Sequence, residues 1–200
     1  MASDAVVYVV DDDPDVRKSP AELVSSIKLP VRCHASATEF LDDYDPALPG
    51  CLVVDVRMPG MSGIELLEKI RRLGTDMPVI VLTGHGDVPM AVRALKSGAV
   101  DFLAKPCPAQ TLIDRIQHAL QIDAEFRAIR AEKDETAKRC ASLTERERSV
   151  VERIVSGMTT RRIAAELRVS TQAVDAPRGR AMKNPNVATI AALAVLVAGA

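Results

Sequence analysis

CLVVDVRMPGMSG, residues 51–63, joins an unbroken apolar run to a carboxylate and then to a loop that Gly60 and Gly63 are expected to make flexible. Cys51 to Val54 do not alternate apolar with polar, which is the pattern of a parallel strand covered on both faces. Working outward, β-rich runs recur as VVYVV (6–10), VRCH (31–34), CLVVD (51–55), PVIVL (78–82) and VDFLA (100–104). Helical patterns fall between them, near residues 14–28, 36–44, 62–73 and 87–97, and from 107 onward. Five strands alternating with five helices predict a doubly wound α/β domain.

The rest of the chain reads differently. The helical pattern runs from Pro108 through Leu112, Ile116, Leu120, Phe126 and Ile129 to about Lys138. Its later part, AEFRAIRAEKDETAKR (124–139), holds neither glycine nor proline. It predicts a semi-rigid helical linker. Further helices are expected up to Ser156, over about Thr160 to Leu167, after Val169-Ser170-Thr171, and from about Val187. Two hundred residues suffice for two small domains. Charge separates them: nine Lys and Arg stand against five Asp and Glu from Leu143 onward, in a chain whose net charge is −1. A cationic C-terminal part points to a nucleic-acid partner.

Other classes are disfavoured. Cys33, Cys51, Cys107 and Cys140 form no C-x-x-C pair, which argues against thiolate metal or redox chemistry and for a reduced, cytoplasmic setting. The apolar run Ala5 to Val10 stops at three aspartates and has no basic lead, so it is not a signal peptide. Val187 to Ala200 falls short of the ~20 residues of a membrane span. It reads as a packing or dimer-contact helix, and no membrane partner is expected.

Ligands of doubly wound sheets bind beyond the carboxyl ends of the strands, where strand order reverses. With the flavodoxin-like order 2-1-3-4-5, that point lies between the first and third strands. Asp11, Asp12 and Asp55 would meet there. Carboxylates about 5 Å apart at an effective dielectric near 20 repel by about 3 kcal/mol per pair. Such a cluster calls for a cation, and all-oxygen ligation suits Mg²⁺. Thr83 and Lys105, at two further strand ends, can offer a hydroxyl and an ammonium to phosphoryl oxygens. A carboxylate nucleophile, a metal, a hydroxyl and a lysine are the parts of phosphoryl transfer to an aspartate.

VVDDDPDVRKS (9–19), VVDVRMPGMSG (53–63), VLTGHGDVPMAV (81–92) and GAVDFLAKP (98–106) together resemble the receiver domain of two-component response regulators, in particular the FixJ-like branch. The resemblance implies Asp55 as phosphoacceptor, with Asp11, Asp12, Asp55 and the Arg57 backbone carbonyl around Mg²⁺. It also implies Thr83 and Lys105 on the phosphoryl group, a cis Lys105–Pro106 peptide, and Phe102 as an aromatic switch. Asp13, one residue further on, is expected to cap the first helix. A dehalogenase-type phosphatase also phosphorylates an aspartate but needs a second Asp two residues later, where Arg57 stands. The chain is therefore not expected to be an enzyme.

SLTERERSVVERIVSGMTTRRIAAELRVSTQAV, from Ser142, resembles a LuxR-type helix-turn-helix. The resemblance implies Thr171, Gln172, Asp175 and Arg178 on the recognition helix and Arg161 or Arg162 at DNA phosphates. Two residues depart from it. Pro177 stands where the family usually carries His, and Gly179 follows. An interior proline costs a helix about 3 kcal/mol and a glycine about 1. The expected organisation is a receiver over 1–121, a helical linker over 122–141 and a DNA-binding domain over 142–200. The expected function is transcription regulation, driven by phosphate from a sensor histidine kinase and exerted by a homodimer formed on phosphorylation. The alternative is a signalling protein with impaired DNA binding, acting as a phosphate sink or through protein–protein contacts.

Overall fold

The computed structural model describes residues 5–84, 87–141 and 144–175. Its first half is a five-stranded parallel sheet: β1 (Val6–Val10), β2 (Val31–His34), β3 (Gly50–Val54), β4 (Val79–Thr83) and β5 (Asp101–Ala104). The order is β2-β1-β3-β4-β5, as the strand pattern predicts. β1, β3 and β4 are buried at every residue, which explains their lack of alternation. The edge strands β2 and β5 are partly open, so their sequences mix polar and apolar residues.

Period-two alternation sends neighbouring side chains to opposite faces. Val6, Tyr8, Val10, Leu52, Val54 and Val81 pack on one side under α2 (Ala37–Asp43), α3 (Gly63–Arg72) and α4 (Val88–Lys96). Val7, Val9, Cys51, Val53, Ile80 and Leu82 pack on the other under α1 (Pro14–Ser26) and α5 (Ala109–Ala141). Asp13 caps α1 as expected: its side chain accepts the main-chain N–H groups of Asp15 (2.9 Å) and Val16 (3.3 Å). α1 also runs on through Pro20, which is buried. The lost main-chain donor does not end this helix.

Gly63 corrects part of the sequence reading. It begins α3, and a Cβ there would lie 2.1 Å from the Asp55 carbonyl oxygen. Close approach, not loop flexibility, requires glycine at this position. Gly50 is similar, with the Val6 carbonyl oxygen 2.1 Å from a Cβ position. Gly60 differs: its φ of +78° is a left-handed turn with open space beside it.

α5 is unbroken from Ala109 to Ala141, so the helical pattern expected to about Lys138 is one continuous helix. The chain divides between Ala128 and Ile129 into two compact units. In the second, α6 (Glu145–Val155), α7 (Thr160–Leu167) and the helical residues 171–175 surround Val150, Ile154, Ile163, Ala164 and Val174. Thr159 caps α7, and Arg168 closes it in a left-handed conformation (φ 52°). Ser170 then starts the next helical turn, its hydroxyl accepting the Ala173 N–H at 3.2 Å. Pro177, Arg178, Gly179 and the helix expected from Val187 lie outside the described residues.

Candidate functional site

β1 and β3 are hydrogen-bonded neighbours in register, Val10 opposite Val54. The next residues on each strand, Asp11 and Asp55, therefore emerge side by side. Both are buried, at 6% and 8% exposure. The last residue of β5 is Ala104, which leaves Lys105 at the same sheet end. Its Nζ donates to Asp11 Oδ2 at 2.5 Å and to Asp55 Oδ1 at 2.8 Å. Burial works to lower the lysine pKa, but these two hydrogen bonds and the attraction of both carboxylates outweigh it. The net shift is upward. The ammonium is therefore held charged between two carboxylates that would otherwise repel one another.

The remaining oxygens also have partners. Asp55 Oδ2 accepts the Arg57 N–H at 2.5 Å, and Asp11 Oδ1 accepts the Asp13 N–H at 3.1 Å. Arg17, one turn into α1, donates to the Asp11 carbonyl oxygen at 2.5 Å. Sequence reading missed this contact; its trace is the six-residue spacing from the strand end to the first inward turn of α1. Thr83 is fully buried at the end of β4, and its carbonyl accepts the Lys105 N–H at 2.8 Å. Phe102 is half-buried and packs against the core beneath α4. The Lys105–Pro106 peptide is cis. Cys107 packs half-buried against the core beneath α1 and α5.

Asp12 stands apart from this pair. It is exposed and lines an open cleft together with Arg57, Met58, Asp87, Met90 and Arg93. Among the described residues, no three His, Cys, Asp or Glu side chains are gathered as a metal-binding group.

In the second unit, Thr171, Gln172 and Asp175 are exposed on the helical turn whose Val174 is buried. Arg161 and Arg162 are exposed on α7, and Arg162 Nε lies 3.5 Å from Glu166. The two segments are joined by the three-residue turn Arg168 to Ser170.

Residues 7–117 match the response regulator receiver domain, and residues 141–197 match the luxR family of bacterial regulatory proteins. This chain belongs to the two-component response regulators. Receiver and LuxR-type domains on one chain are the architecture of a two-component transcription regulator. This response regulator is 44% identical over 184 residues to the transcriptional regulatory protein FixJ of Azorhizobium caulinodans, covering 92% of the chain and 87% of the relative. It is similar to the solved structure of the response regulator StyR, with a TM-score of 0.80, 40% identity, and coverage of 98% of this chain and 100% of that one. Full-length FixJ from B. japonicum gives a TM-score of 0.58 at 36% identity, covering 98% and 97%. Among the described residues, no helix of this response regulator is long and apolar enough to cross a membrane.

Proposed function

We propose that this response regulator accepts a phosphoryl group on Asp55 from a sensor histidine kinase and, as a phosphorylation-dependent homodimer, binds DNA through its LuxR-type domain in the cytoplasm. Residues 1–121 serve as receiver, 122–141 as helical linker and 142–200 as DNA-binding domain. The observation that carries this reading is the pairing of Asp55 with Asp11 across one lysine, next to the buried Thr83. Asp55 acts as nucleophile toward a donor phosphate, and the chain is a phosphoacceptor rather than an enzyme acting on other substrates.

The donor chemistry fits Mg²⁺. Asp11, Asp12 and Asp55 are hard oxygen donors, and Lys105 offsets one of their three negative charges. A divalent cation would offset the other two. Asp11, Asp12, Asp55 and the Arg57 carbonyl would hold it, and when bound it supplies charge neutralisation for the incoming phosphoryl oxygens. Lys105 and the Thr83 hydroxyl orient and neutralise the same group. Phosphorylation draws Lys105 and Thr83 toward the new oxygens, and Phe102 turns into the space that Thr83 leaves, shifting a pre-existing equilibrium. α4 and β5 are the elements whose surface then changes, and they favour dimerisation.

On DNA, Thr171, Gln172, Asp175 and Arg178 face base edges, while Arg161 and Arg162 meet phosphates. The second reading, a regulator with impaired DNA binding, is favoured by Pro177 and Gly179 in the recognition segment.

Incubation with a small acyl phosphate and Mg²⁺ tests the first step. The wild type should gain one phosphoryl mass and Asp55→Asn none. Uptake by Asp55→Asn at the wild-type rate would falsify the assignment. Protection of a specific DNA site by phosphorylated protein separates the two output readings.

A further inference from the structure

Beyond the receiver, α5 carries an apolar stripe. Ile122, Phe126 and Ile129 follow the four-and-three spacing of a heptad seam. Ile122 is half-buried, whereas Phe126 and Ile129 are 46% and 51% exposed. Large apolar side chains at such spacing on an otherwise charged helix mark a contact surface.

The receiver holds the helix just where the stripe begins. Asp123 Oδ2 accepts the Gly50 N–H at 2.9 Å and Arg127 Nε at 2.8 Å. The Arg127 guanidinium also donates to the carbonyls of Pro46, Ala47 and Leu48. At 3.6 residues per turn, Asp123 and Arg127 lie roughly 110° around the helix from the centre of the stripe. The clamp therefore engages one side of the helix and leaves the stripe uncovered on another.

The charges beside the stripe identify its occupant. With Phe126 and Ile129 at the two core positions of a heptad, the flanking position before Phe126 is Glu125 and the one after Ile129 is Arg130; both are exposed. In a parallel pair of identical helices, Glu125 of each copy meets Arg130 of the other, and two-fold symmetry forms the pair twice. Antiparallel pairing sets Glu125 against Glu132 and places Lys133 over Ile122. We infer that this stripe is a parallel dimerisation seam whose occupant is the same stripe of a second copy of this chain. Lys133 occupies the next core position, so the apolar seam is short. It gains strength from high effective concentration once another surface has joined the two chains. The inference thus rests on the phosphorylation-dependent dimer proposed above.

Sedimentation equilibrium of the full chain, saturated with phosphoryl groups from an acyl phosphate and Mg²⁺, tests it. Phe126→Ser with Ile129→Ser should weaken self-association about tenfold. Glu125→Arg or Arg130→Glu alone should weaken it roughly two- to fivefold, and the two together should restore it. Phosphoryl stoichiometry, measured alongside, shows that the receiver of each variant is intact. Wild-type affinity in the double serine variant overturns the seam, as does a charge-exchanged double variant no tighter than either single one. A change in proteolysis of the linker without any change in self-association also overturns it, since the stripe then packs within its own chain. If the phosphorylated wild type stays monomeric, the proposed dimer fails and the seam with it. If the wild type dimerises and the variants match it, the seam alone fails.

Discussion

Lys105 shows how much of the site depends on single side chains. One ammonium satisfies two buried carboxylates that sequence reading had assigned to a metal, and it was itself assigned to a phosphoryl oxygen. The roles are compatible, because the positive charge that pairs Lys105 with Asp11 and Asp55 also attracts the oxygens of an anion. The glycines beside the site make a sharper contrast. Gly63→Ala forces a methyl group into the Asp55 carbonyl, so it should destabilise the receiver by about 1–3 kcal/mol. It should also slow phosphate uptake, since relief comes from moving Asp55. Gly60→Ala meets no atoms but must adopt a left-handed φ, at a cost of about 1–2 kcal/mol. Its phosphorylation rate should stay near that of the wild type. Thermal melts and uptake kinetics of the two variants check this, and equal slowing by both would refute the distinction. The sequence made both glycines visible, but spacing alone does not tell a turn from a close approach. That difference lies in which carbonyl the fold brings near.

At the scale of elements, α3 is the clearest case of sequence dictating a boundary. Ser62 accepts the Glu65 N–H at 3.3 Å, and Glu65 accepts the Ser62 N–H at 2.8 Å, closing a capping box. The Ser62 main-chain bond, joined by the Ser62 hydroxyl, holds the Glu65 pKa below its ordinary value. A depressed carboxylate pKa contributes stability above its unfolded value, near 4.3, and loses it as pH falls through the lower folded value. Main-chain protection at Ser62, followed by NMR, should therefore fade below about pH 4.3. Glu65→Gln should remove that pH dependence; persistence of the fade in this variant would rule out Glu65 as its source. α5 shows the limit of such reading. Its helical pattern was plain as far as about Lys138, yet nothing in the spacing of Asp123 and Arg127 revealed that they grip the start of β3 and the residues just before it, more than seventy residues earlier. An i,i+4 acid–base pair looks the same on a solvated face. Asp123→Ala leaves the buried Gly50 N–H without its acceptor, which should cost about 1–3 kcal/mol. Hydrogen exchange at Gly50 should quicken while exchange in β4 changes little; an unaltered Gly50 rate would mean that the clamp contributes nothing.

Over the whole molecule, the fold and the meeting of Asp11, Asp55 and Lys105 were legible because four strand ends had to agree. The output domain was legible as a fold and less so as a surface. Val174 is buried while Thr171, Gln172 and Asp175 face outward, as a reading helix requires. Pro177 follows two residues later, where a proline would withhold a main-chain donor from the carbonyl of Ala173. Whether the recognition surface works is therefore a question of binding thermodynamics rather than of family resemblance. If Arg161 meets a phosphate, Arg161→Ala should weaken binding to all DNA sequences alike. It should also lower the slope of log affinity against log salt by about 0.9, one released counterion. Pro177→His should act differently. By supplying the main-chain donor that a proline lacks, it should raise affinity for the specific site relative to random DNA and leave the salt slope almost unchanged, because it adds no phosphate contact. Salt-titrated gel shifts with phosphorylated protein measure both quantities at once. A Pro177→His variant that gains no specificity would show that the proline does not limit recognition, and an Arg161→Ala variant with an unchanged slope would remove α7 from the phosphate backbone.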